Sequence, residues 1–198
     1  MAQGDEITSG NFTFTETSIE GVVIVDVKAY GDGRGRFMET YKKPDFAAGG
    51  ITADFVQDNQ SSSTKGVLRG LHFQVEHPQA KLVRVISGEV FDVAVDLREG
   101  SPTFGKWEGV VLSAENRRQL FIPRGFAHGF LVLSDAAEFC YKCDDVYRPG
   151  DEGGLMWDDP EIGIAWPPLR GDDKLDPSKL VLSEKDKRHP SLGTAFGS

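Results

Sequence analysis

The sequence predicts an all-β protein, a jelly roll or closed barrel carrying a few short helices, mainly toward the C-terminal end. Three observations lead there. Short runs rich in β-branched and aromatic residues alternate with a period of two across residues 19–143. Gly, Pro, Asn, Asp and Ser clusters separate these runs at short intervals. Almost no helical pattern appears until the last stretch, so the tally of about nine strands favours a closed β architecture over alternating βαβ units. The 198 residues suit one domain, and a chain of this size buries roughly 70% of its unfolded surface. We expect an N-terminal arm over 1–18 and a single domain over 19–198 that ends in an irregular C-terminal cover.

The elements follow in order. Residues 19–29, Ile-Glu-Gly-Val-Val-Ile-Val-Asp-Val-Lys-Ala, predict a strand. Gly31-Asp32-Gly33-Arg34-Gly35 is a turn-rich loop and not a phosphate loop, because neither GK[ST] nor a helical pattern follows. Residues 36–41 return to extended structure, and 44–48 predict one helical turn with proline at its first position. Phe55, Gln57 and Asn59 then share a face, which sets amides beside an aromatic ring. Residues 61–66 read as a loop by composition. In Val67-Leu68-Arg69-Gly70-Leu71-His72-Phe73-Gln74, alternation puts Gly70, His72 and Gln74 on one face and Leu71 and Phe73 on the other.

Residues 75–80 form a polar turn, and 81–86 a strand with Lys81, Val83 and Val85 on one face. Along 88–98, Phe91, Val93, Val95 and Leu97 point one way, and Asp92, Ala94 and Asp96 the other. A turn at 101–103 leads to a strand over 107–112, and Ser113 begins a capped turn. Residues 119–122 lead into 123–130, and strands follow over 130–133 and 137–143, the last with Phe139, Tyr141 and Cys143 on one face. Beyond Val146, Trp157, Trp166, Pro160, Pro167 and Pro168 suggest a packed, non-repetitive cover, and 183–186 resemble a capping box opening a short helix.

Composition removes several classes. The net charge of −9 argues against a nucleic-acid partner, which needs a basic face. No apolar run approaches the ~18 residues of a membrane span, and the polar start lacks the apolar core of a secretory signal. Cys140 and Cys143 lie three apart on a strand, facing oppositely, so we expect free thiols in the cytoplasm. The four histidines, His72, His77, His128 and His189, show no metal-ligand spacing, and no nucleophile motif is present. Acid–base chemistry fits better: a neutral imidazole is a usable base near pH 7, given a carboxylate to orient it.

The motifs taken together carry a resemblance. Gly31-Asp32-x-Arg34-Gly35, Phe55-Val56-Gln57-Asp58-Asn59, the 67–74 strand and Lys81-Leu82-Val83-Arg84 occur in order. Gly88-Glu89-Val90-Phe91-Asp92-Val93-Ala94-Val95-Asp96, Ile122-Pro123-x-Gly125-Phe126-Ala127-His128-Gly129-Phe130, Glu138-Phe139-x-Tyr141-Lys142 and Leu182-Ser183-x-Lys185-Asp186 follow. With these motifs the chain resembles the dTDP-4-dehydrorhamnose 3,5-epimerase family across about residues 19–192.

The resemblance implies a cupin-type jelly roll that forms a homodimer, binds a dTDP-sugar and uses neither metal nor redox cofactor. It implies His72 as general base, Asp186 as its carboxylate partner, Tyr141 as the acid on the opposite sugar face and Lys81 at the enolate oxygen. It also places Arg34, Glu39, Gln57, Asn59 and Arg69 at the diphosphate and thymidine end, with His128 and Tyr147 lining the pocket. Arg69 and His72 lie three apart, so a shared ligand requires Gly70 to bend or bulge the strand, or Arg69 to reach around it. The alternatives are an epimerase acting at C3 or C5 alone, or a metal-dependent or non-catalytic sugar-binding cupin.

Overall fold

The computed structural model describes residues 6–197, which build two antiparallel sheets packed face to face, the jelly-roll arrangement. In chain order the elements are β1 (Glu6–Ser9), β2 (Phe12–Glu16), β3 (Val23–Val27), β4 (Ala29–Asp32), β5 (Gly35–Met38), α1 (Lys43–Ala48), β6 (Gln57–Thr64) and β7 (Leu68–Gln74). They continue with β8 (Lys81–Ser87), β9 (Glu89–Asp96), β10 (Trp107–Ser113), β11 (Gln119–Ile122), β12 (Phe126–Val132), β13 (Ala136–Cys143), β14 (Glu152–Gly154) and α2 (Leu192–Phe196). The larger sheet runs β1-β2-β3-β11-β8-β13-β6, the smaller β10-β9-β12-β7-β14, and β4-β5 is a separate hairpin.

Three apolar layers hold the sheets. Between them lie Val83, Val90, Ala94, Leu112, Leu120, Phe130 and Phe139. The outer face of the smaller sheet packs Val93, Val95 and Leu131 against Trp166, Leu169 and Leu192, so the irregular C-terminal segment is a cover, as its composition suggests. The outer face of the larger sheet packs Val23, Val25 and Val27 against Phe12, Phe14 and Phe46 of α1. Strand β9 is therefore buried on both sides, and its alternation separates two cores instead of core from solvent.

Four expectations change. The arm over 1–18 is structured where it is described: β1 and β2 extend the larger sheet, while residues 1–5 lie outside the described residues. Phe12 and Phe14 drive this, because each buried aromatic side chain stabilises the fold by roughly 1.5–3 kcal/mol. The expected loop at 61–66 is instead the end of β6, where Ser61, Ser62 and Ser63 pair with Phe139, Glu138 and Ala137. An edge position tolerates polar side chains, so ladder pairing overrides composition there. The three-residue strand β14 was not expected at all. Finally, residues 183–188 make a hydrogen-bonded turn and not a helix, while the C-terminal helix forms at α2.

Candidate active site

Register brings two sets of polar side chains face to face. In the larger sheet Tyr141 pairs with Asn59 on one side and Val83 on the other, and Cys143 pairs with Gln57 and Lys81. Paired neighbours, and residues two apart, share a face, and Val83 and Phe139 place that face inward. Gln57, Asn59, Lys81 and Tyr141 therefore all point into the barrel. In the smaller sheet one row reads Ala94–His128–His72–Gly154, and the next reads Asp92–Phe130–Arg69.

The second row resolves the spacing problem of Arg69 and His72. Between the pairs His128–His72 and Phe130–Arg69, β7 uses three steps where β12 uses two, a bulge at Gly70 that returns Arg69 to the face of His72. Gly70 has a φ of +128°, and a Cβ there would stand 2.5 Å from Gly129 Cα, so glycine is required.

The two sets enclose a cavity of about 290 Å³ lined by Gln57, Asn59, His72, Lys81, Tyr141 and Glu152, among others. His72 Nε2–H donates to Asp186 Oδ1 at 2.6 Å, and the other Asp186 oxygen accepts from Ser183 Oγ at 2.8 Å. Burial works to raise the Asp186 pKa, but the hydrogen bonds from His72 and Ser183 outweigh it and hold the carboxyl below its usual range. A neutral His72 that donates through Nε2 keeps its lone pair on Nδ1, which lies 4.0 Å from Glu152 Oε1. Glu152 also accepts from Tyr147 Oη at 2.9 Å and pairs with Lys185. Burial raises Glu152 as well, but these donors prevail and keep it ionised.

Across the cavity burial raises the Tyr141 pKa, which keeps the phenol protonated and able to donate. Lys81 reaches over the Tyr141 ring, 6.0 Å from its centre, and burial lowers its pKa against the pull of Cys143, Asp92 and Glu152. The Cys143 thiol is pushed up to about 11, chiefly by burial, and stays protonated beside them. The arrangement can remove a proton from one face of a bound molecule, stabilise an oxyanion and return a proton to the other face.

The expected site residues divide. His72, Asp186, Tyr141, Lys81, Gln57, Asn59 and Tyr147 meet at or directly behind the cavity wall, whereas Arg69 shares the face of His72 but is exposed, does not line the cavity and donates from Nε to Ser63 Oγ at 3.2 Å. Three others do not meet it either. His128 is buried behind the wall and donates Nε2–H to Asp92 Oδ2 at 2.9 Å, because register places it deeper in the sheet. Arg34 sits at the tip of the β4–β5 hairpin with a side chain 91% exposed and paired to Asp32. Glu39 follows that hairpin and accepts from Asn11 Nδ2 at 2.5 Å. Sequence reasoning missed Glu152, since a three-residue strand in a Gly- and Asp-rich stretch carries no readable period.

Comparison with known proteins agrees with this geometry. A family model described as dTDP-4-dehydrorhamnose 3,5-epimerase matches residues 16–194. The epimerase of that name from Methanothermobacter thermautotrophicus is 56% identical over 91% of this chain and 95% of its own length. A crystal structure of the epimerase from Legionella pneumophila, in complex with dTDP-4-keto-L-rhamnose, superposes with a TM-score of 0.85 at 50% identity, covering 92% of this chain and 93% of that one. A 3'-monoepimerase from Streptomyces bikiniensis in complex with dTDP-quinovose is also similar, with a TM-score of 0.80 at 37% identity over 90% and 87% of the two chains. The chain belongs to the dTDP-4-dehydrorhamnose 3,5-epimerase family.

Proposed function

We propose that this chain inverts C3 and C5 of dTDP-4-dehydro-6-deoxy-D-glucose to give dTDP-4-dehydro-L-rhamnose by proton transfer alone. The C4 ketone acidifies the hydrogens on both neighbouring carbons, because the resulting carbanion is an enolate. Removing and returning a proton leaves the oxidation state unchanged, so the chemistry requires no hydride acceptor. One observation carries the reading: His72, with Asp186 behind it, stands on one sheet, and Tyr141, with Lys81 beside it, stands on the other.

His72 Nδ1 takes the proton, and Asp186 and Glu152 stabilise the imidazolium. Lys81 donates to the developing enolate oxygen; loss of one such donor costs roughly 3–4 kcal/mol in other enzymes. Tyr141 returns a proton to the opposite face. Gln57, Asn59 and Arg69 hold the nucleotide end, where Arg69 supplies a guanidinium for the diphosphate. Tyr147 closes the rim through Glu152.

The catalytic unit is one jelly-roll domain working as a homodimer in the cytoplasm. Arg34 and Glu39 serve a second copy's substrate from the hairpin, whose Tyr30 and Phe37 are 48% and 68% exposed. The free thiols of Cys140 and Cys143 fit a reducing compartment.

Incubation with the authentic 4-keto-6-deoxy sugar nucleotide in D2O tests the reading. Deuterium is expected at both C3 and C5. Incorporation at one carbon would make the chain a monoepimerase, and incorporation at neither would refute the reading.

A further inference from the structure

The proposed proton transfers leave one buried imidazole beside the base unused. His189 packs edge-on against His72, ring centres 5.5 Å apart, with its side chain only 9% exposed. Its Nε2 is buried with no hydrogen-bond partner, and it lies 3.5 Å from the Asp186 oxygen that accepts from His72. Gly154, the neighbour of His72 in the sheet row, makes the space: a Cβ there would collide with the His189 ring.

We propose that His72, Asp186 and His189 form a transition-metal site, suited to Zn2+, and that an ion bound there switches off the base. One donor atom from each residue lies within 4.8 Å of the others. Among the described residues this is the one cluster of metal-ligating side chains that converges so closely. Two imidazoles and one carboxylate form a zinc ligand set of the kind that keeps a position open for water. A groove of about 750 Å³ lined by His189, Glu152 and Lys185 reaches the cluster from outside and gives that water room.

The arrangement is nearly complete. The turn over residues 183–188 carries Asp186 and delivers His189 three residues later to the strand that holds His72. An arriving ion takes the place of the proton between His72 Nε2 and Asp186 Oδ1, and the imidazole stays neutral by carrying its one proton on Nδ1 instead. Nε2 of His72 and the Asp186 oxygen then bind metal, and Nδ1, the nitrogen that faces Glu152, has become an N–H with no lone pair to take a proton from substrate. Binding stands on the geometry alone, whereas inhibition rests on the reading of His72 as the base.

Zinc titration of the full chain, metal alone, against a chromogenic chelator tests the site. One Zn2+ per chain is expected, with affinity falling more than about tenfold in His189→Gln and, as an independent arm, in Asp186→Asn. Zinc should stop deuterium exchange by the wild type, a chelator should restore it, and His189→Gln should keep basal exchange while losing zinc sensitivity. Equal zinc affinity in wild type and both variants, or none in wild type, would overturn the site. Equal inhibition of wild type and His189→Gln would also overturn it. A wild type that binds zinc as expected yet shows no exchange without metal would refute the epimerase reading and leave the site standing.

Discussion

Two histidines stand side by side on the inner face of the smaller sheet, each paired with an aspartate, and the two pairs differ in access. His72 and His128 are register partners, each donating Nε2–H to a carboxylate, at 2.6 and 2.9 Å. The His72 side chain is 29% exposed and opens on the cavity, whereas that of His128 is 8% exposed and stacks against Phe139 at 6.0 Å. Burial lowers the His128 pKa despite the adjacent Asp92, so His128 stays neutral and structural. The pair itself does not make a base. Contact between its free nitrogen and a bound molecule does, and only one pair offers that.

The sharpest break of this comparison is His72→Ala. Exchange at C3 and C5 should fall about 10²–10⁴-fold by NMR while dTDP binding survives by calorimetry. Exchange that persists would transfer the role to another group, with His128 first in line. Lys81→Met tests the opposite wall: kcat should drop about 10²–10³-fold with KM little changed, and a pure KM effect would deny Lys81 the oxyanion. Tyr141→Phe should slow inversion by about 10²-fold, yet exchange should outlast inversion, since His72 can return a deuteron to the face it came from. Exchange and inversion lost in equal measure would remove Tyr141 as the acid.

The buried pair should answer in stability. His128→Gln weakens the partner of a buried carboxylate whose second oxygen already lacks one, so a loss of up to about 3 kcal/mol in urea unfolding is expected, with kcat per folded molecule within a few-fold of wild type. The sign with pH follows from the lowered pKa. The unfolded chain binds the His128 proton more tightly, so wild-type stability falls as pH drops below about 6.5, and the variant should be flatter there. Asp186 titrates lower. Its depressed pKa contributes stability above about pH 4 that is lost as pH falls through the folded value, and Asp186→Asn should flatten that limb of the acid unfolding curve.

Much of this was legible in the chain. Alternation along β9 separated Asp92 and Asp96 from Phe91 and Val93, and the strand-borne His72, Lys81 and Tyr141 were visible before any fold was known. The serines of β6 were misleading because an edge strand takes its structure from the neighbour it pairs with, here β13. Glu152 gave no signal, since three residues cannot display a period. Arg69 was readable as a conflict: its spacing from His72 called for a bend or bulge at Gly70 or a side chain reaching around the strand, and the structure has the bulge.

By itself the sequence determined which side chains travel together. A strand has a period of two whatever it packs against, so Phe139, Tyr141 and Cys143 share a face in any fold that keeps β13 extended. Only the tertiary structure decided which histidine meets the cavity, which carboxylate backs it, and that Arg34 stands apart from the site in its own chain. Those choices depend on burial and contact between residues as distant as His72 and Asp186, 114 positions apart, and local periodicity does not encode such pairings.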